Sequence, residues 1–85
     1  MILPTIHTNG TSARMLAEGY SEARLAVQAA IEILSKVEFN GRDYYVQGDG
    51  AWKQAVEEHA ARFVALKAVA DELYKLEEHC CDFIK

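Results

Sequence analysis

The side chains best suited to binding chemistry are concentrated in one polar segment, FNGRDYYVQGDG, at residues 39–50. Arg42 offers a planar guanidinium group that fits phosphate or carboxylate. Tyr44 and Tyr45 supply flat rings that can stack on a ligand ring, and Gln47 can both donate and accept hydrogen bonds. This combination is typical of a site for an anionic molecule that contains a ring, although tyrosines beside a helix start often just cover the core.

A second polar cluster, HTNGTS at residues 7–12, precedes the first helical pattern of the chain. A helix N-terminus presents unpaired backbone N–H groups and a partial positive charge, and both favour anions. The candidate ligand-binding residues here are His7, Asn9, Thr11, Ser12 and Arg14. An ordinary helix cap preceded by a turn is the alternative interpretation of the same segment.

Between the two clusters, apolar residues recur at alternating steps of four and three, which predicts an α-helix over residues 12–39. The residues on its apolar face are Leu16, Tyr20, Ala23, Val27, Ala30, Leu34 and Val37, and Ile31 and Ile33 widen the face near its end. Thr11 or Ser12 is expected to cap the start, and Asn40-Gly41 to end the helix. The same Asn-Gly pair is compatible with a β-hairpin, but two strands this short are marginal alone.

A second helix is predicted over residues 51–83, because this segment is periodic and contains neither proline nor glycine after its start. Its apolar face is wide enough to contact more than one neighbour. The residues on this face are Trp52, Ala55, Val56, His59, Phe63, Leu66, Val69, Ala70, Leu73, Leu76, Cys80 and Phe83. His59 lies on it near the polar loop, as a ligand contact or as an ordinary core histidine. Arg62 is its neighbour at the site or a solvated flank.

These elements predict an all-α protein with a single domain at residues 1–85. Two long antiparallel helices form a hairpin around a polar loop at residues 40–50. An extended arm at residues 1–11 is expected to lie against the end of the second helix, near Leu73, Leu76 and Cys80. Two helices cannot enclose a core, so we expect a dimeric bundle or a larger oligomer.

The two polar clusters lie at opposite ends of the first helix, roughly 38 Å apart at 1.5 Å per residue. They cannot share a ligand within one chain. In an antiparallel dimer, however, the start of the first helix of one chain meets the loop of the other. Two-fold symmetry then predicts two equivalent ligand sites between the protomers.

Composition excludes several classes of function. The net charge is −4, spread evenly along the 85 residues, which is unlike the basic surface of a protein that binds DNA or RNA. Cys80 and Cys81 are neighbours, which favours free thiols over a disulfide and provides no zinc-binding spacing. The start MILPTIHTNG has neither a basic region nor an apolar run long enough for a signal peptide or membrane span. We therefore expect a cytoplasmic protein without metal or cofactor.

HTNGTS at residues 7–12, GRDYYVQG at 41–48 and AWKQAVEEHAARFVALKAV at 51–69 resemble short accessory proteins of tailed phages and prophages. The resemblance covers most of the chain, and GRDYYVQG together with Glu58-His59 is its most specific part. This group has no established activity to carry over. The resemblance implies a phage-encoded protein of the host cytoplasm, in a setting where small proteins counter host defence, some of them by trapping signalling nucleotides.

The expected function is therefore that of a small oligomeric binding protein, not an enzyme, which holds an anionic nucleotide-like ligand between protomers. As an anti-defence protein it would sequester a signalling nucleotide. The alternative is a protein-interaction module, an inhibitor or assembly factor, that docks through the 40–50 loop, since tyrosine and arginine also anchor protein interfaces. No pattern of nucleophile and base is visible for catalysis.

Overall fold

The computed structural model describes residues 1–84, which form two long α-helices and two short 3-10 turns. Helix α1 is Ala13–Ser35 and helix α2 is Ala51–Cys81; the 3-10 turns between them are Gly41–Asp43 and Tyr45–Gln47. The helices pack against each other, and residues 1–84 contain no strand. The all-α class and the helical hairpin are confirmed, and the β-hairpin alternative at Asn40-Gly41 is excluded.

Helix α1 begins where its capping residue predicts but ends earlier than expected. Ser12 caps the start, its hydroxyl oxygen accepting a hydrogen bond from the Met15 N–H at 3.1 Å. The helix ends at Ser35, not at residue 39. Asn40 does not stop α1; it caps the first 3-10 turn. Beyond this end the Phe39 ring packs against Trp52 and His59 of α2.

The face of α1 that packs on α2 is shifted by one residue from the predicted face in its second half. The buried or half-buried residues are Ala13, Leu16, Ala17, Tyr20, Ser21, Arg24, Val27, Ile31 and Leu34. Arg24 replaces Ala23 at the interface and Ile31 replaces Ala30, so both of these alanines are exposed. Apart from Leu16 and Ser21, the interface residues from Ala13 to Leu34 still follow one another at alternating steps of four and three, but the series begins at Ala13 and not at Leu16.

An ion pair explains why a charged residue occupies the interface of α1. Arg24 Nε donates to a carboxylate oxygen of Glu77 at 2.8 Å, and the guanidinium lies 5.6 Å from the ring centre of Tyr74. The hydrogen bond from Arg24 lowers the pKa of Glu77, and the same bond raises the pKa of Arg24. The apolar stem of Arg24 packs between the helices while its charge is neutralised.

Helix α2 starts after a backbone turn that requires glycine. Gly48 and Gly50 have φ angles of +105° and +91°, a region that side chains with a Cβ rarely adopt. Most of the predicted apolar face of α2 is buried or half-buried against α1. Trp52, Val56 and Val69 on its flanks remain exposed, as does Phe83, which lies beyond the helix end at Cys81 instead of within the predicted helix. No helix within residues 1–84 has the length and apolar character needed to cross a membrane.

The N-terminal arm lies against the last turns of α2, as expected. The ring nitrogen Nε2 of His79 is 2.7 Å from the carbonyl oxygen of Pro4, to which it can donate. Cys80 in the same turn is fully buried, whereas Cys81 is exposed. Burial raises the pKa of the Cys80 thiol.

The hairpin is thin and has few buried side chains. It measures 60 × 22 × 16 Å, and its radius of gyration of 18.7 Å exceeds the ~12 Å expected for a compact chain of this length. The buried apolar residues among those described are Ala13, Ala17, Ala55, Ala70 and Cys80. Larger apolar side chains are half-buried or exposed, so most apolar surface lies at the edge of the hairpin and not inside it.

Candidate functional site

Four aromatic rings meet at the closed end of the hairpin, where α1 leads into the loop and α2 begins. Phe39 lies at their centre, with its ring centroid 4.5 Å from His59, 5.3 Å from Trp52 and 6.4 Å from Tyr44. The rings are tilted or edge-on to one another, an arrangement favoured by their quadrupoles. His59 in turn contacts Phe63 edge-on at 5.0 Å.

Asn40 and Asp43 fix the loop that carries Tyr44 to this cluster. The Asn40 side-chain oxygen accepts a hydrogen bond from the Arg42 backbone N–H at 3.2 Å. The backbone N–H of Asn40 donates to the Asp43 carboxylate at 3.0 Å. Such reciprocal bonds satisfy backbone groups that would otherwise lack partners. They hold a short turn in one conformation, so Phe39 and Tyr44 on either side of it approach each other.

An open cleft of about 300 Å³ lies beside these rings; we call it the aromatic cleft. It is lined by Leu34, Val37, Phe39, Tyr44, Ala55, Glu58, His59 and Arg62. Its volume is at the lower end of the range typical of small-molecule sites. Two of the predicted ligand-binding residues, Tyr44 and His59, therefore share one cleft.

Two residues of opposite charge, one turn of α2 apart, line the aromatic cleft. Glu58 and Arg62 both line it, at helical positions four residues apart. Within residues 1–84 the ion pairs are Arg24–Glu77 and Lys36–Glu32, and neither involves Glu58 or Arg62. The cleft thus offers a guanidinium group as donor and a carboxylate as acceptor, next to aromatic walls.

A second, more open cleft of about 340 Å³ lies on the other side of Trp52; we call it the glycine cleft. It is lined by Gly41, Tyr45, Gly48, Asp49, Gly50 and Trp52. Its backbone is accessible because three of these residues have no side chain. Of the predicted ligand-binding residues, Tyr45 lies here, so Tyr44 and Tyr45 point to different clefts.

The remaining predicted residues of the loop are exposed and line neither cleft. Arg42 contributes its backbone N–H to the Asn40 turn, and its side chain is in solvent. Gln47 ends the second 3-10 turn and is also exposed. Their expected role in ligand binding therefore requires a ligand or a partner that extends over the loop surface.

The predicted N-terminal residues lie at the opposite, open end of the hairpin. His7, Asn9, Thr11, Ser12 and Arg14 are all exposed. The Ser12 hydroxyl is used by the cap of α1, and the Gly10 N–H donates to the His7 carbonyl at 3.1 Å in a tight turn. A Cβ on Gly10 would meet the His7 ring at 2.9 Å, so glycine lets the imidazole fold over the turn.

Sequence reasoning did not place Phe39 and Glu58 among the ligand-binding residues, and it left Arg62 either as a neighbour of His59 at the site or as a solvated flank. Phe39 precedes the Asn-Gly pair, which suggested a helix end and not the centre of an aromatic cluster. Glu58 and Arg62 lie on either side of His59 in sequence and are four residues apart, which is about one helical turn. This spacing was the available signal for a charged rim. No metal site is formed within the described chain, where no three His, Cys, Asp or Glu side chains converge.

Comparison of the chain with models of protein families, with curated proteins and with solved structures finds no match in any of the three.

Proposed function

We propose that this protein binds a small anionic molecule that contains a ring, of the size of a nucleotide, and holds it without chemical change. The observation that carries the proposal is the aromatic cleft, where Tyr44, His59 and Arg62 line one concave surface. Concave sites with apolar walls and a few convergent polar groups are where small molecules bind.

The walls of the cleft account for the ring in the proposed ligand. The Phe39 and His59 rings are tilted by 50° with centroids 4.5 Å apart, and Tyr44 also lines the cleft. A planar ligand ring can pack against these rings with little loss of side-chain freedom, because the neighbouring rings already restrain the side chains. Stacking of a base on an aromatic side chain contributes roughly 1–3 kcal/mol.

The rim of the cleft accounts for the charge and the polarity of the proposed ligand. The Arg62 guanidinium has no carboxylate partner within residues 1–84, so it is available to a phosphate. Glu58 accepts hydrogen bonds only, which favours a ring that carries N–H donors. A nucleobase joined to a phosphate combines an aromatic face, N–H donors and an anion in one molecule.

Sequestration is the mode of action that these groups support. The cleft is open to solvent, and the residues that line it include no serine, threonine or cysteine; the hydroxyl beside its histidine is the phenol of Tyr44. Binding alone lowers the free concentration of a ligand when the protein is abundant. In a phage-encoded protein of the host cytoplasm this would remove a signalling nucleotide.

Thermal unfolding in the presence of nucleotides tests the proposal. Adenosine and guanosine monophosphates, the corresponding nucleosides and inorganic phosphate are each titrated against the protein. A specific nucleotide should raise the Tm by roughly 10 °C or more at a hundredfold excess over its Kd. The nucleoside and phosphate alone should each give a smaller shift, since each occupies half of the cleft.

Arg62→Ala and Lys67→Ala are matched variants for this titration, because both remove an exposed cation from α2. Only Arg62 lines the aromatic cleft. Arg62→Ala should abolish most of the nucleotide-dependent shift, and Lys67→Ala should preserve it. Equal responses of the two variants, or no shift with any nucleotide, would refute the proposed site.

A second candidate function is docking to another protein through the loop, favoured by two exposed side chains at its tip. Tyr45 is 72% and Val46 is 76% exposed, although both are large and apolar. Exposed tyrosine beside an aliphatic residue is a common anchor of protein interfaces. The double variant Tyr45→Ala, Val46→Ala should keep the nucleotide-dependent rise in Tm if the leading proposal holds. If the protein acts by docking, the same variant should lose binding to its protein partner.

A further inference from the structure

The single hairpin exposes more surface than a folded chain of its mass should. Its accessible surface is 6543 Å², whereas a monomeric protein of 9.5 kDa is expected to expose roughly 5,000 Å². The excess is roughly 1,500 Å², about twice the area that each partner buries in a standard interface. If a partner covered an area of this size, the accessible surface of the chain would fall to the value expected for its mass.

One side of the hairpin is apolar along its length, and the ion pair identifies it by marking the other side. Arg24, Glu77 and Tyr74 meet at one edge of the helix interface. A step of one residue turns an α-helix by about 100°. Ala23 precedes Arg24 and Leu76 precedes Glu77, so both lie toward the opposite edge of the interface. They are on the same side of the hairpin because the helices are antiparallel.

Steps of three, four and seven residues extend this apolar side along both helices. We call it the apolar side face, formed by Ala23, Ala26, Ala30, Val37, Ala65 and Val69. The four alanines are exposed, and Val37 and Val69 are 52% and 45% exposed. The face reaches the aromatic cleft, since Val37 lines that cleft.

We propose that a second copy of this chain covers the apolar side face, with the two α1 helices antiparallel and Ala30 beside the two-fold axis. Ala23 of each chain then faces Val37 of the other, and Ala26 faces Leu34. Small residues therefore oppose larger ones, as close packing of two helices requires. No charged residue of α1 belongs to this face, so the contact between the two α1 helices buries no unpaired charge.

The same symmetry has a consequence for the N-terminal cluster. An antiparallel partner brings residues 7–14 of one chain toward the 40–50 loop of the other. Asn9 and Arg14 of one protomer then lie near the glycine cleft of its partner, and the aromatic cleft borders the interface. The dimer is argued from surface area and packing alone, so it can fail or hold independently of nucleotide binding.

Ala30→Glu and Ala29→Glu test the dimer as a matched pair. Both positions are exposed alanines in the middle of α1, but a 100° rotation places Ala29 away from the face. Light scattering of the full chain should give about 19 kDa, twice the 9.5 kDa of one chain. Ala30→Glu should raise the dimer Kd at least about a hundredfold, and Ala29→Glu should change it little.

Disulfide trapping tests the position of the two-fold axis without burying a charge. Ala30→Cys in a Cys81→Ser background should form a covalent dimer rapidly under mild oxidation, because equal residues meet at the axis. Ala29→Cys in the same background should remain monomeric on denaturing gels. A native mass of 9.5 kDa, equal effects of the two glutamates, or faster cross-linking at residue 29 would overturn the proposal.

Discussion

His79 and Pro4, separated by 75 residues in sequence, are joined by a 2.7 Å contact between the imidazole Nε2 and a backbone carbonyl. This contact ties the N-terminal arm to α2 next to the fully buried Cys80. Because a carbonyl can only accept, the ring must carry its proton on Nε2. The arm is thus held to α2 at Pro4 by a specific polar bond.

His79→Ala is expected to release the arm and to lower the free energy of unfolding by about 1 kcal/mol. Limited proteolysis should then cleave residues 1–12 faster than in the parent protein. His7→Ala, which removes an exposed histidine from the arm itself, is the control and should leave cleavage unchanged. Equal protection in both variants would show that the imidazole does not hold the arm.

Glu77 makes the stability of the hairpin depend on pH. Its pKa is lowered in the folded protein by the Arg24 hydrogen bond, so the unfolded chain binds more protons below its ordinary value of 4.5. The stabilisation is present above that value and is lost as pH falls through the lowered pKa. Glu77→Gln should therefore be less stable than the parent at pH 7, with the difference shrinking below pH 4.5.

Denaturant unfolding at several pH values measures this difference. Glu78→Gln, one residue along α2 at an exposed position, is the control and should differ little from the parent at any pH. A Glu77→Gln deficit that stays constant down to pH 3 would indicate lost packing instead of a lost ion pair.

Cys80 and Cys81 should differ in their reactivity toward thiol reagents in the native protein. Cys81 is exposed, whereas Cys80 is buried and its pKa is raised by that burial. The thiolate is the reactive form, so both access and ionisation favour Cys81. Mass spectrometry should find one label on Cys81 first and a second on Cys80 after denaturation. Simultaneous labelling would mean that the last turn of α2 opens readily.

Arg42 and Tyr44 should contribute very differently to stability, although they are two residues apart. Arg42 is exposed, so Arg42→Ala should change the free energy of unfolding by at most about 0.5 kcal/mol. Tyr44 is half-buried against Phe39 and Trp52, so Tyr44→Ala should cost roughly 2 kcal/mol. Similar values for both variants, measured by urea unfolding, would contradict the aromatic cluster.

Mixing two variants tests whether the ligand extends from the aromatic cleft over the loop to the partner's N-terminal cluster. In that case Arg14→Ala and Arg42→Ala each weaken nucleotide binding, and the two are combined under conditions that exchange subunits. Each heterodimer should regain one intact site, because both lesions fall in the other one. Calorimetry counts these sites. Heterodimers confirmed by mass spectrometry but without recovered sites would exclude a site shared by the two chains.

The helices could be predicted from sequence because they depend on local signals. Ser12, one of the two residues expected to cap α1, does so. The alternating steps of four and three correctly predicted a helix that packs against α2. The shift from Ala23 to Arg24 was not predictable from α1 alone. Arg24 can enter the interface only because Glu77 lies opposite, and that register depends on a residue 53 positions away.

The candidate site was harder to predict, because its geometry comes from the loop and not from periodicity. Tyr44 and His59 were expected to be near a site, and they line one cleft. Tyr44 and Tyr45 are directed to different clefts by the Asn40–Asp43 turn. Asn40 was expected to end α1, but its hydrogen bonds cap this turn instead. Whether Arg42 and the N-terminal residues contact a ligand stays a prediction.

The aromatic cluster also has a consequence for the order of folding. Phe39 and His59 are 20 positions apart, whereas Arg24 and Glu77 are 53 apart and Pro4 and His79 are 75 apart. Closing a short chain loop costs less entropy than closing a long one. We expect the rings at the closed end to form contacts first, followed by pairing of the helices from that end outward. The arm, which closes the longest loop, should dock last and detach first.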